Sequence, residues 1–169
     1  MRRALLVVCS CVRVASAEPA DSSYAVQVAT GAAFAPLAAD DVFGRLELTG
    51  SWRWRERLVV GAALAVDVNR TSDLGAPSGA TFYKGLVELG AWLQPSQRVG
   101  TLLGWRVGRA WLDFGFASMQ ATVFEPVAEL AFRLNCAVEL RFEPVAFDFY
   151  RTTTWQMTIG TNVGVAWRL

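Results

Sequence analysis

The chain has 169 residues, a length that fits one domain. Hydrophobic residues make up 53 % and charged ones 18 %. The longest apolar run beyond the N-terminus is residues 58–66, ended by Asp67, too short for a spanning helix of about 20 residues. Sixteen basic residues against fifteen acidic ones give a net charge of +1, which leaves no basic footprint for nucleic acid.

Residues 1–17 read as an export signal. Arg2 and Arg3 make a basic start, residues 4–12 an apolar core, and Ala15, Ser16 and Ala17 a small-residue cleavage site. Arg13 places a charge late in that core. Cleavage would remove three arginines with Cys9 and Cys11. The remainder, residues 18–169, would be one domain of thirteen basic and fifteen acidic residues, net −2. Cys136 would be its single cysteine, so no disulfide framework forms within one chain.

From Tyr24 onward the dominant period is two, that of a strand whose alternate side chains point to opposite faces. A first strand over 24–34 puts Tyr24, Val26, Val28 and Phe34 on one face, and Ala25, Gln27, Ala29, Gly31 and Ala33 on the other. A second, over 42–52, opposes Leu46, Leu48 and Trp52 to Arg45, Glu47, Thr49 and Ser51. The third aligns Leu58, Val60, Ala62, Leu64, Val66 and Val68. The fourth sets Tyr83, Val87, Leu89, Ala91 and Leu93 against Lys84 and Glu88, with Trp92 in the polar phase. The fifth sets Val99, Leu103, Trp105 and Val107 against Gly100, Gly104, Arg106 and Gly108. In the sixth, Phe124, Ala128, Leu130, Phe132 and Leu134 oppose Glu125, Glu129 and Arg133; in the seventh, Val138, Leu140 and Phe142 oppose Glu139, Arg141 and Glu143. The eighth carries Trp155, Met157, Ile159, Thr161, Val163, Val165, Trp167 and Leu169 on its apolar face. Pro126 and Pro144 each remove a ladder donor, so a bulge or weak edge is expected there.

The connections alternate in length. Residues 54–56, 95–97 and 135–137 read as three-residue hairpin loops, pairing Arg53 with Arg57, Gln94 with Arg98, and Leu134 with Val138. Residues 35–41, 70–81, 109–123 and 147–153 read as longer loops. Aromatic residues gather towards both ends: Trp52, Trp54, Trp92 and Trp167 near the short turns, and Phe43, Phe82, Trp111, Phe114, Tyr150 and others near the long loops.

A period of two cannot say which face is inside; the polar face decides it. It is rich in Gly, Ala, Ser and Thr with single charges between them, which suits a crowded bore rather than a solvated surface. The expected bore network is Arg45, Glu47, Glu88, Arg106, Glu129, Arg133, Glu139, Arg141 and Glu143. The hairpin registers set Arg133 opposite Glu139, Arg141 diagonal to Glu129, and Glu88 diagonal to Arg106. Such pairs contribute about 0.2–1 kcal/mol each near water. Glu129 falls opposite Glu143, a like-charge pair that needs a further partner.

On these features the chain resembles the small outer-membrane barrels of the OmpA/OmpX type. The resemblance covers the export signal, the alternating strands, the long-short loops and an end at the eighth strand. It implies an all-β fold, an eight-stranded antiparallel up-and-down transmembrane β-barrel in a bacterial outer membrane. An even strand number puts both termini on the short-turn side, the periplasm. Outer-membrane lipid and the outer-membrane assembly machinery are the implied partners. The last strand of such barrels usually ends in an aromatic residue; here Leu169 takes that place after Trp167 and Arg168.

The chain contains no histidine, which removes the commonest general base near neutral pH and the commonest metal ligand. Cys136, on an expected turn, has neither a cysteine nor a histidine beside it for zinc. The inward carboxylates are explained by ion pairing, so no catalytic residue, metal or cofactor is expected and the chain is not read as an enzyme. The leading functional reading is a structural or narrow pore-type barrel with a filled lumen. A second is a surface binding or adhesion module meeting an unknown extracellular ligand through Asp73, Trp111, Asp113 and Phe114. A third is a secreted lipocalin-like carrier with an apolar interior.

Overall fold

The computed structural model describes residues 22–34, 42–55, 57–69, 79–115 and 117–169. The expected export signal, the connection 35–41 and most of the connection 70–81 lie outside the described residues. The chain forms eight strands: β1 Ser22–Phe34, β2 Val42–Trp54, β3 Leu58–Asn69, β4 Thr81–Leu93, β5 Val99–Asp113, β6 Ser118–Arg133, β7 Val138–Arg151 and β8 Trp155–Arg168. Each pairs antiparallel with its neighbour in the chain, and β1 pairs with β8 to close a barrel. Closure gives both edges of every strand a ladder partner, which is what a sheet needs where water cannot solvate an open edge.

Alternation along each strand sorts the side chains as the period of two requires. Tyr24, Leu46, Leu48, Leu64, Val87, Leu89 and Trp105 are exposed on the outside, while Gln27, Arg45, Glu47, Glu88, Arg106 and Glu129 are buried within. Small inward residues make room for large ones. A Cβ at Gly100 would overlap the Trp92 ring, and one at Gly31 would overlap Asn162.

The registers differ from the expected ones at two turns. Trp54 pairs with Leu58, so Arg53 faces Val59 rather than Arg57, and Arg55, at φ 50°, follows the end of β2. Leu93 pairs with Thr101, so the β4–β5 turn takes in residues 94–98 and Gln94 does not pair with Arg98. There the Ser96 hydroxyl oxygen accepts the Arg98 and Val99 backbone N–H groups. Both shifts are of two residues, so every side chain keeps its face. The third hairpin is as expected: Leu134 donates to the Val138 carbonyl, and Asn135 Oδ1 accepts from Ala137 and Val138.

Two expected long loops are largely strand. β5 continues to Asp113 and β6 begins at Ser118, with Gly115 at φ 78° between them. β7 continues to Arg151, leaving residues 152–154. The reason is visible in the inward positions: Ala110, Leu112, Ala121 and Val123 are buried. They continue the ladder with apolar side chains inside while Arg109, Asp113, Gln120 and Thr122 stand outside, so the contrast between faces inverts without the strand ending.

Of the two prolines, Pro144 marks a bulge. The β6–β7 and β7–β8 registers both gain one residue on β7, and Pro144 and Val145 lie side by side on the exposed face. Across β5 the register continues unbroken through Trp105 and Pro126, while towards β7 the ladder is interrupted between Phe124 and Leu130, the stretch that holds Pro126. The extra residue inverts the phase of β7, so Ala146, Asp148 and Tyr150 turn inward.

Candidate functional site

The bore is layered. At the long-loop end an apolar plug forms from Phe43, Phe82, Leu112, Val123 and Tyr150. Phe43 and Phe82 lie 4.9 Å apart, and Phe82 meets Tyr150 and Phe114 edge-on at 6.0 and 5.7 Å. Phe43, Phe82 and Tyr150, gathered near the long loops in the sequence, therefore lie inside the bore: their inward phase, and for Tyr150 the β7 bulge, turns them there.

Below the plug, Arg45 on β2 forms a fork on Asp67 of β3, Nε–Oδ1 2.7 Å and Nη2–Oδ2 3.0 Å, and a second ion pair to Asp148 of β7. Lys84 Nζ lies 3.0 Å from each of Asp67, Glu125 and Asp148. The hydroxyls of Thr158 and Tyr150 donate to Asp148 at 2.9 and 3.3 Å.

At mid-height, Arg106 on β5 reaches Glu88 through Nε at 2.7 Å and Glu47 through Nη1 at 2.9 Å. Gly104 and Gly108 flank it, and a Cβ at either would run into the β4 backbone, at Leu89 and Gly90 for the first and at Gly85 and Leu86 for the second. Glu88 and Arg106 are directly opposed, not diagonal, as a consequence of the two-residue register shift. Glu143 accepts from Asn162 Nδ2 at 2.8 Å.

Towards the short-turn end, Arg53 Nη2 pairs with Glu139 at 2.8 Å, and its guanidinium lies 3.6 Å over the Trp92 ring. Arg141 Nη1 sits 3.1 Å from Glu129 and donates to Gln27 Oε1 at 2.7 Å, while Gln27 Nε2 donates to Glu129 at 3.0 Å. Arg133, opposite Glu139 in register, stands 3.8 Å from it at the rim. A second apolar cluster of Val59, Trp92, Leu102, Val127 and Ala131 lies at this end.

All nine bore residues named from sequence are thus on the inward face, eight of them buried and Arg133 half-buried. Glu129 and Glu143 follow directly on the Leu130–Phe142 pair, where the ladder is interrupted beside the bulge, and their further partners are Arg141 and Gln27 for Glu129 and Asn162 for Glu143. Sequence reasoning left Arg53, Asp67, Lys84, Glu125 and Asp148 outside the named network. The first four stand in the inward phase of their strands, and that phase was the signal for them. Asp148 carried no signal, because the bulge reverses the phase on which it would have been read. Together the buried groups brace strands far apart in the sheet: β2 to β7 through Arg45–Asp148 and Arg53–Glu139, β4 to β6 through Lys84–Glu125, and β2 to β5 through Glu47–Arg106.

The residues named for a loop-borne site fare differently. Asp73 lies outside the described residues. Trp111 is an outward strand residue of β5, 50 % exposed. Asp113 ends β5 and its Oδ1 accepts the Gly115 N–H at 2.9 Å. Phe114 leans on Phe82 as part of the plug. The expected loop over 109–123 thus contracts to a short turn. Cys136 is exposed on the β6–β7 turn. Among the described residues no group of His, Cys, Asp and Glu is placed to hold a metal ion.

An apolar outer wall around an ion-paired bore defines the class of small, filled, eight-stranded barrels. Solved outer-membrane barrels share this fold. Neisserial surface protein A is 12 % identical with a TM-score of 0.60, covering 88 % of this chain and 96 % of that one. The attachment invasion locus protein Ail of Yersinia pestis is 15 % identical with a TM-score of 0.53, covering 88 % and 97 %. The N-terminal barrel domain of Pseudomonas aeruginosa OprF is 10 % identical with a TM-score of 0.57, covering 88 % and 98 %. No protein-family model matches the sequence, and no curated protein matches it.

Breaking a buried ion pair from one side leaves its partners charged and unpaired, at a cost of about 3–5 kcal/mol. Arg106→Met is therefore expected to destabilise the refolded barrel by roughly that amount. Adding Glu47→Gln and Glu88→Gln in the same chain is expected to restore much of the loss, because the stranded charges go with them. Urea midpoints followed by tryptophan fluorescence in detergent micelles measure both.

Proposed function

We propose that the protein is an integral outer-membrane barrel whose filled bore makes it a structural element or, at most, a narrow pore. The observation that carries this reading is the sorting of side chains. Leu64, Val87 and Leu134 are 64–65 % exposed on the outer wall, while Arg106 and Glu88 are 1–2 % exposed inside. Water gives no reason for that arrangement, and a lipid environment does. A soluble lipocalin-like carrier would need the reverse, an apolar interior and a polar exterior. The contraction of the 109–123 loop weakens the adhesion reading, since two of its four residues lie in a strand and a third in the plug.

Export through the signal over residues 1–17 and insertion by the outer-membrane assembly machinery belong to the same proposal. So does a non-catalytic role, supported by the engagement of the bore carboxylates with cations and amides. An eight-stranded barrel is just wide enough for side chains to fill, and here an apolar plug closes the long-loop end while the Trp92 cluster packs beside the Arg53–Glu139 pair towards the other.

The reading predicts little or no steady conductance for the wild-type protein in planar bilayers. Phe82→Ala, which opens the upper plug, and Glu88→Ala, which thins the ionic layer, are each expected to raise the leak. A large, stable open channel in the wild type would contradict the filled bore.

Both described ends of the barrel wall, at Ser22 and Arg168, stand on the side of the short turns, and this side is assigned to the periplasm. Cys136 reports on that assignment. A membrane-impermeant maleimide is expected to label it only after the outer membrane of intact cells is permeabilised. Labelling of intact cells would place the short turns outside.

A further inference from the structure

The short-turn end of the bore holds a narrow recess whose lining includes Trp92, Gln94, Arg98, Gly100, Arg133 and Glu139. Three strands and a turn bring these groups together. Trp92 is inward near the end of β4, and Arg133 closes β6 with Glu139 of β7 opposite it in register. Arg98 stands exposed on the β4–β5 turn, directly before β5.

Glu139 is the one carboxylate among the described lining residues, and it is already engaged. Arg53 grips both its oxygens, Nη2–Oε2 at 2.8 Å and Nη1–Oε1 at 3.3 Å, and Arg141 Nη2 lies 3.3 Å from Oε2. Arg133 and Arg168 stand off at 3.8 and 3.9 Å, beyond hydrogen-bond length. Arg141 is shared with Glu129. Among the described residues no carboxylate pairs with Arg98. Leaving Arg168 aside, four arginines thus meet two carboxylates, Glu129 and Glu139. The charges left over are those of Arg98 and Arg133, the two arginines that line the recess.

Hydrogen-bond donors are left over at the same place. Among the described residues, the buried side-chain nitrogens without a partner are Trp92 Nε1, Arg133 Nε and Arg141 Nε, and all three belong to this end. Trp92 is 3 % exposed. The edge of its ring that carries Cε2, the atom bonded to Nε1, packs against Gly100 of the recess, where a Cβ would come within 2.8 Å of Cε2. An indole nitrogen only donates, and leaving it buried without an acceptor is costly. An oxygen in the recess would answer it, and the surplus charge makes that oxygen an anion's.

We propose that this recess binds a tetrahedral oxyanion of the phosphate class, which accepts from Trp92 Nε1 and Arg133 Nε and pairs with Arg98. Two uncompensated guanidinium groups match a dianion better than the single charge of a carboxylate, and their planar forks suit phosphate oxygens. Neither Arg98 nor Arg133 is held by a hydrogen-bonded carboxylate, so both are free to turn onto an incoming anion and widen the recess. The repulsion from Glu139 is offset by Arg53 and Arg141. The site lies at the mouth of the bore, goes beyond the filled-bore reading and does not depend on it.

The indole N–H resonance of Trp92 supplies the probe. The full barrel, isotope-labelled, is refolded in micelles of an uncharged maltoside detergent that carries no phosphate. Of the seven tryptophan peaks, that of Trp92 is the one missing in Trp92→Phe. Inorganic phosphate, dianionic and at constant ionic strength, is expected to shift this peak saturably, and acetate far less. The apparent affinity is expected to fall about ten-fold in Arg98→Gln and again in Arg98→Gln/Arg133→Gln, the effect of losing a hydrogen bond to a charged group. Arg109→Gln, towards the long-loop end, is expected to leave it unchanged. No saturable shift, or full affinity in the double variant, overturns the site. An equal response to acetate overturns the phosphate class. Each of these results leaves the membrane reading and the conductance predictions standing.

Discussion

An arginine such as Arg106, with 2 % of its side chain exposed, stays charged in a protein interior only where carboxylates replace the water it has lost. Around it and its counterparts the rest of the barrel is arranged. Among the described residues five cations and eight carboxylates are buried. Their attraction offsets desolvation only while the geometry brings each cation to its acids and hydroxyl or amide donors satisfy the remaining oxygens. Lys84 is brought to three carboxylates, Arg106 to two, and Asp148 to two cations and two hydroxyls, while Glu88 Oε1 is left without a hydrogen-bond partner. Because partners come from strands that are not neighbours, the network fixes the diameter of the barrel as well as its register.

The apolar plug at the long-loop end and the Trp92 cluster towards the other follow from that condition. Water entering the ionic layer would weaken every pair in it, since the strength of a charge pair rises as the local dielectric falls. Phe43, Phe82 and Tyr150 stand over one end, and Trp92 over the other with Arg53 stacked on its face. The absence of a side chain at Gly100 is what admits the Trp92 ring. Packing, charge pairing and closure are therefore one arrangement, read from the bore outwards to the apolar wall.

Much of this was legible in the residues because strand geometry has a period of two and the polar and apolar faces contrast strongly over most of the chain. Gln27, Arg45, Glu88, Arg106 and Arg141 could be set inside on phase alone, and the Arg133–Glu139 pairing followed from a three-residue turn. Where that contrast was not kept, legibility faded. Ala110, Leu112, Ala121 and Val123 are apolar inward residues beside outward Arg109, Asp113, Gln120 and Thr122, so the contrast of the faces inverts there and strand resembled an aromatic-rich loop. The β7 bulge was signalled by Pro144, yet its consequence for Asp148 and Tyr150 was not, because one inserted residue exchanges the two faces beyond it. Hairpin registers two residues away from those expected left the faces intact, so Glu88 and Arg106 were paired correctly in identity and wrongly in position.

The central claim is that apolar side chains face lipid and ionic ones face a closed bore. Its most direct test is a nitroxide scan along β3 from Val60 to Val66 in a Cys136→Ser background, in lipid vesicles. High collision with oxygen and low collision with a water-soluble nickel chelate are predicted at Val60, Ala62, Leu64 and Val66. Low collision with both is predicted at Gly61, Ala63 and Ala65. Ready access of the nickel chelate to Leu64, or no alternation along the strand, would contradict it.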